Sequence, residues 1–149
     1  MKDNFENQVE ALFSHYAIDG KNIIFEITET SAMSNFKRVT QFIEHFKTIG
    51  CKFSLDDFGT GSSSFSYLKN FKVDYLKIDG SFVRDILDDP IDRVMVESIY
   101  QIAQLLNLET VAEYVENAEI YAIIKEIGID YGQGYGIQKP FPIDNLFKI

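Results

Sequence analysis

An α/β fold built on a parallel sheet is predicted by three features of the sequence. Short apolar runs alternate with amphipathic stretches of helical period. The runs start near Ile23, Lys52, Tyr75, Glu109 and Tyr131, at intervals of ~20–35 residues, the length that a strand, a crossover helix and two short loops require. Polar residues, carboxylates above all, gather where the runs end. Doubly wound sheets and (β/α)8 barrels both build their sites at that end of the strands.

The elements follow in order. Residues 5–16 place Phe5, Val9, Leu12, Phe13 and Tyr16 at helical spacing, and Gly20 punctuates. Residues 22–28, with Ile23, Ile24, Phe25 and Ile27, read as a buried strand. Phe36, Val39, Ile43, Phe46 and Ile49 mark a helix that Gly50 stops. Residues 52–56 read as the second strand, residues 62–70 as a short helix or turn, and residues 73–78 as the third strand. Pro90 suits a helix start, and Val94, Ile99, Ile102, Leu105 and Leu106 form the stripe behind it. Residues 109–112 are the fourth strand. Asn117 caps a helix bearing Ile120, Ile123, Ile124 and Ile127, which Gly128 closes. Residues 131–137 are the last strand, and Pro140 and Pro142 end the regular part. Residues 1–149 thus read as one domain of five βα-type units, without a linker or low-complexity segment. A complete barrel needs at least ~200–250 residues. The units therefore make either an open doubly wound sheet or part of a barrel, and their spacing leaves both open.

Composition bounds the function. With 46% hydrophobic and 25% charged residues, the chain is an ordinary globular protein. Its net charge of −9 argues against binding a DNA or RNA duplex. A small anionic ligand stays compatible, because a bound metal ion reverses the local field. The single Cys51 excludes an intrachain disulfide and fits a reducing compartment. Residues 1–8 lack the pattern of a signal peptide, and no apolar run approaches the ~18 residues of a membrane span. A cytoplasmic location, alone or within a larger signalling protein, is expected.

The chemistry collects at the strand ends. The first strand brings Glu26 and Glu29, the second Asp56 and Asp57, and the third Lys77 and Asp79. The fourth brings Glu113, with Glu116 just beyond, and the fifth bears Gln133. Carboxylates crowded on one rim either take up protons or bind cations. All-oxygen ligands select hard ions such as Mg²⁺, Mn²⁺ or Ca²⁺. Adjacent aspartates suit a pair of ions, a usual device for attack of water on a phosphodiester. Taken singly, Asp56 and Asp57 also read as a loop start or cap, and Glu26 and Glu29 as exposed strand-end charges. Lys77, between Leu76 and Ile78, requires a partner if its strand is buried on both faces. The glycines around Gln133 lack the following helix that a phosphate loop needs. His15 and His45 lie on predicted helices far from the rim and read as structural or solvated.

Five blocks carry a more specific signal. Phe25-Glu26-Ile27-Thr28-Glu29-Thr30, Asp56-Asp57-Phe58-Gly59-Thr60-Gly61, Leu76-Lys77-Ile78-Asp79-Gly80-Ser81-Phe82, Thr110-Val111-Ala112-Glu113, and Gln133-Gly134-Tyr135 with Lys139-Pro140 occur in this order. They resemble the successive signature blocks of the EAL family, the bacterial phosphodiesterases of cyclic di-GMP, from about residue 23 to 141. The resemblance implies a (β/α)8 TIM-like barrel of which this chain is the C-terminal portion, lacking the first three strands. It implies hydrolysis of cyclic di-GMP to the linear dinucleotide pGpG with Mg²⁺ or Mn²⁺. By position, Glu26 and Asp56 resemble ligands of the first metal, and Asp56 and Asp57 ligands of the second. Lys77 resembles the residue holding the attacking water. Glu113 resembles a carboxylate that is either general base or second-metal ligand. Glu29 resembles the anchor of the loop over residues 57–64, and Glu116 and Gln133 match outer positions of the site.

Two departures stand out. Tyr114 occupies a position where the family usually has glycine. The part of the domain that carries the Glu-Ala-Leu motif and an asparagine, both ligands of the first metal, has no counterpart here. Glu10-Ala11-Leu12 spells the letters but falls in a predicted helix, and we read it as a chance match. The expectation is a chain weak or inactive by itself, its first strand left as a bare edge. A missing N-terminal segment or a homo-oligomer would cover that edge. The alternative is a catalytically silent, cyclic di-GMP-binding or regulatory module.

Overall fold

The computed structural model describes residues 4–59 and 68–145. Five strands, β1 (Ile24–Thr28), β2 (Lys52–Phe58), β3 (Tyr75–Ile78), β4 (Glu109–Ala112) and β5 (Tyr131–Gly132), pair in parallel in the order β1-β2-β3-β4-β5. That order decides between the two architectures. A doubly wound sheet reverses at a switch point, so some chain neighbours are not sheet neighbours. Here every strand lies beside its predecessor, as in the wall of a barrel. The described α-helices are α1 (Asn4–Tyr16), α2 (Glu29–Ser34), α3 (Phe36–Thr48), α4 (Gly80–Arg84), α5 (Pro90–Leu105) and α6 (Ala118–Ile127). None of them is long and apolar enough to cross a membrane.

Side chains alternate across the sheet. Phe53, Leu55, Leu76, Ile78 and Ala112 are buried in one core with Ile43 and Phe46 of α3, Val96 and Ile99 of α5, and Ile120 and Ile124 of α6. Phe25 anchors α3 on β1 and β2. Its ring lies 5.4 Å from Phe42, 5.2 Å from Phe46 and 5.4 Å from Phe53. The opposite, inner face is more polar, and Ile24, Glu26, Ser54, Tyr75, Lys77 and Gln133 line an open cavity there.

Capping chemistry sets the helix ends. Asp89 accepts from the Ile91 N–H at 2.7 Å, with Pro90 in the first turn of α5. Asn117 accepts from the Ile120 N–H at 2.8 Å, and Gly128, at φ 101°, closes α6. At the N-terminal rim of the sheet one device recurs. Asp74, just before β3, accepts from the Phe53 N–H at 2.8 Å and from Lys47 Nζ at 2.8 Å. Asp130, just before β5, accepts from the N–H and Oγ1 of Thr110 at 2.7 and 2.8 Å.

Some expected boundaries move. β2 runs on to Phe58. β5 stops at Gly132 rather than at residue 137, because Gly134 and Gly136 turn the chain onto the backbone of residues 115–117. A Cβ on Gly134 would fall 2.4 Å from Val115 N, and one on Gly136 2.5 Å from Asn117 N. The short helices α2 and α4 have no counterpart in the sequence expectations. Of the helix or turn expected at 62–70, Leu68–Asn70 is a 3-10 turn, and residues 60–67 lie outside the described residues.

Candidate metal centre

The C-terminal ends of the strands bring the expected carboxylates together. Glu26 comes from β1, Asp56 and Asp57 from β2, Lys77 from β3, and Glu113 directly follows β4. In a regular strand, neighbours such as Asp56 and Asp57 point to opposite faces. Here the pairing of β2 with β3 shifts register between Leu55 and Phe58. Asp57 takes φ 57°, a left-handed conformation that Asp tolerates better than most residues. This bulge re-aims the side chains. Asp56, Asp57 and Glu113 each place a carboxylate oxygen within 4.8 Å of the others.

Lys77 occupies the middle, with its side chain only 6% exposed. Its Nζ lies 2.7 Å from Glu113 Oε1, 2.9 Å from Asp56 Oδ1 and 3.5 Å from Glu26 Oε1. Burial works to lower its pKa, but hydrogen bonds to Glu113 and Asp56 together outweigh it and hold the ammonium above the ordinary lysine range. For Glu113, burial is the largest effect and raises the carboxyl above its usual value. Lys77 pulls it back, while Asp56 and Asp57 push it further up. One ammonium thus faces three carboxylates, and Asp57 adds a fourth close to Asp56 and Glu113. The arrangement is short of positive charge, and its all-oxygen donor set fits a hard divalent ion.

The remaining expected residues surround this centre. Glu29 opens α2, is 5% exposed, and accepts from the Gly59 N–H at 3.2 Å. It ties the backbone just after Asp57 to the helix. Glu116 and Gln133 join Glu113, Tyr114, Gly134 and Tyr135 around a cleft of about 310 Å³. Asp79 instead caps α4, accepting from the Ser81 N–H at 2.8 Å. Tyr135 was not singled out from the sequence. Its signal was its place in the fifth block, Gln133-Gly134-Tyr135, which assigned it no role. His15 packs on Tyr16, and His45 on α3 pairs with Glu10 on α1. Glu10-Ala11-Leu12 therefore lies within a helix.

Comparison with known proteins agrees with this architecture. The model of the EAL domain family matches residues 1–140. The chain is 44% identical over 146 residues to the cyclic di-GMP phosphodiesterase PdeF of Escherichia coli K12, covering 97% of this chain and 20% of PdeF. It is 46% identical over 123 residues to the cyclic di-GMP phosphodiesterase PdeA of Borreliella burgdorferi, covering 83% of this chain and 18% of that protein. The structure of the PaMucR phosphodiesterase in complex with c-di-GMP superimposes with a TM-score of 0.89 at 31% identity, covering 94% of this chain and 57% of PaMucR. The chain thus spans about a fifth of the length of these two curated relatives. A barrel wall of sequential parallel strands, a carboxylate rim around a buried lysine and a family match over nearly the whole sequence lead to one conclusion: the chain belongs to the EAL domain family.

Proposed function

We propose that this chain carries the acidic part of a metal-dependent site that opens cyclic di-GMP to the linear dinucleotide pGpG. The observation that carries the reading is the convergence of Asp56, Asp57 and Glu113, with Lys77 paired to Asp56 and Glu113. The relatives named as cyclic di-GMP phosphodiesterases support the substrate. Glu26 and Asp56 would hold one ion and Asp56 and Asp57 a second, Mg²⁺ or Mn²⁺. When bound, such ions supply Lewis-acid activation of the phosphodiester and neutralise its charge.

The chain's own groups do the rest. Asp56 and Glu113 fix the Lys77 ammonium on the inner face, where its remaining donor orients a water molecule toward phosphorus. Glu113, facing both aspartates, takes up a proton of that water as the water oxygen bonds to phosphorus and the P–O bond to the ribose breaks, the released ribose oxygen taking a proton from solvent. Glu29 steadies the backbone beyond Asp57 through Gly59. Glu116 and Gln133 contact the substrate from the adjoining cleft. The Glu-Ala-Leu block would complete the first ion's ligands within a longer protein, most naturally a cytoplasmic signalling protein. This chain by itself should therefore turn over slowly.

The test incubates the chain and its Asp56→Asn variant with cyclic di-GMP and Mn²⁺ or Mg²⁺. Slow formation of pGpG by the wild type, lost in the variant, supports the reading. Binding without any product would make the chain a silent binding module. No binding and no product would remove cyclic di-GMP as its ligand.

A further inference from the structure

The cleft beside the metal centre has an aromatic wall for which the proposed hydrolysis has no use. We infer that Tyr114 is a stacking platform for a nucleobase and sets the affinity of this chain for a base-bearing phosphodiester. The inference rests on the proposed function and adds a specificity residue to it.

The backbone is the first observation. Tyr114 stands at φ 54°, in the left-handed region that bulky residues rarely enter. A residue held there points to a local demand, and such outliers cluster at ligand sites. The second is packing. A Cβ on Gly80 would lie 2.2 Å from Tyr114 Cδ2 and 2.8 Å from its Cγ. The ring therefore rests directly on the first residue of α4, where only a glycine leaves room. It is nevertheless 54% exposed, so much of the ring stays open.

The third observation is the company Tyr114 keeps. Tyr114 and Tyr135 line one cleft with Glu113, Glu116 and Gln133. Tyr135 is held there by the close approach of Gly134 and Gly136 to the backbone of residues 115–117. Aromatic rings offer stacking faces to any base. Carboxylates accept from the ring N–H and amino groups of a purine such as guanine, and a glutamine amide both donates and accepts. The cleft shares Glu113 with the metal centre. A base stacked there keeps its phosphodiester within reach of Asp56 and Lys77.

The test measures the dissociation constant of cyclic di-GMP for the whole chain in Ca²⁺, which takes oxygen ligands, by calorimetry. Wild type is compared with Tyr114→Phe, Tyr114→Leu and Tyr114→Gly, and each melting temperature is recorded. Loss of stacking should weaken binding about 10-fold or more in the Leu and Gly variants, while Phe stays within about twofold of wild type. Gly relieves the left-handed backbone, so its melting temperature should hold, which separates ligand contact from folding. Unchanged affinity in Leu and Gly, or tighter binding in Gly, would overturn the platform; the latter would make the ring a plug. If wild type binds Mn²⁺ but not cyclic di-GMP, the proposed function falls and the platform falls with it.

Discussion

The two rims of the sheet carry carboxylates in opposite circumstances. At the N-terminal rim, Asp74 and Asp130 each meet donors that match them: a backbone N–H and Lys47 for one, the N–H and hydroxyl of Thr110 for the other. At the C-terminal rim, Glu26, Asp56 and Glu113 crowd around the ammonium of Lys77, and Asp57 adds its carboxylate beside Asp56 and Glu113. The first arrangement is closed and holds neighbouring strands together. The second is short of positive charge and invites a cation. The contrast fits barrels in general, where the N-terminal face serves stability and the C-terminal face serves chemistry.

Substitutions should separate the two rims. The largest effect on activity is expected from Asp56→Asn, because Asp56 would ligate both ions. Turnover of cyclic di-GMP should fall by more than the ~10–100-fold typical of residues that only support a metal. The melting temperature without metal should change little, since Glu113 still pairs with Lys77. Full residual turnover in a Mn²⁺ assay would place the chemistry elsewhere. Next comes Lys77→Met, which leaves three carboxylates facing one another. Its destabilisation in chelator should reach about 2–3 kcal/mol, below the ~3–5 kcal/mol for breaking a fully buried pair, because Asp56 and Glu113 keep partial contact with water. Mn²⁺ should restore part of the melting temperature by supplying the missing charge. An identical loss in chelator and in Mn²⁺ would mean that the rim holds no metal.

The opposite rim should answer in the opposite sense. Asp130→Ala deprives the buried Thr110 N–H and hydroxyl of their acceptor. The cost should be about 1.5–3 kcal/mol, read as a fall of several degrees in melting temperature. Mn²⁺ affinity of the folded fraction should stay at the wild-type level. A change in metal affinity comparable to that of Asp56→Asn would erase the distinction between the rims.

The C-terminal rim was legible in the sequence, whereas the roles of Asp74 and Asp130 at the other rim were not, and the reasons are physical. The apolar runs located the strands because burial against helices selects Ile, Phe, Leu and Val, and β4 falls at its expected bounds, Glu109–Ala112. Whether the units formed an open sheet or a barrel was not legible in their spacing, because sheet order is a non-local property. The five blocks pointed to the barrel only through resemblance. The helices α2 and α4 span only 6 and 5 residues, too short for a hydrophobic period, and only their caps Thr28 and Asp79 announce them. The bulge that turns Asp56 and Asp57 to one side depends on a register shift against β3, which no local pattern encodes. Tyr135, though part of the fifth block, received no role because glycines against residues 115–117, not a periodic element, place it at the cleft.

Glu29 tests the boundary between the two kinds of carboxylate, since it sits at the chemical rim but is buried and bonded like a structural one. Its Oε2 accepts from the Gly59 N–H. Its Oε1 is buried without a hydrogen-bond partner among the described residues. In Glu29→Gln an amide oxygen can still accept from Gly59, so stability should change by less than ~1 kcal/mol. Glu29 bonds the Gly59 backbone, whereas Glu26, Asp56 and Glu113 contact Lys77, so Mn²⁺ affinity should fall far less than in Asp56→Asn. Turnover should drop about 10-fold, within the range for residues that orient metal ligands, because the backbone following Asp57 loses its charged anchor. Measuring turnover, Mn²⁺ affinity and melting temperature on the same preparation separates the cases. Equal damage from Glu29→Gln and Asp56→Asn would make Glu29 part of the metal centre itself, and no damage would place it with Asp74 and Asp130 among the residues that only hold the barrel wall.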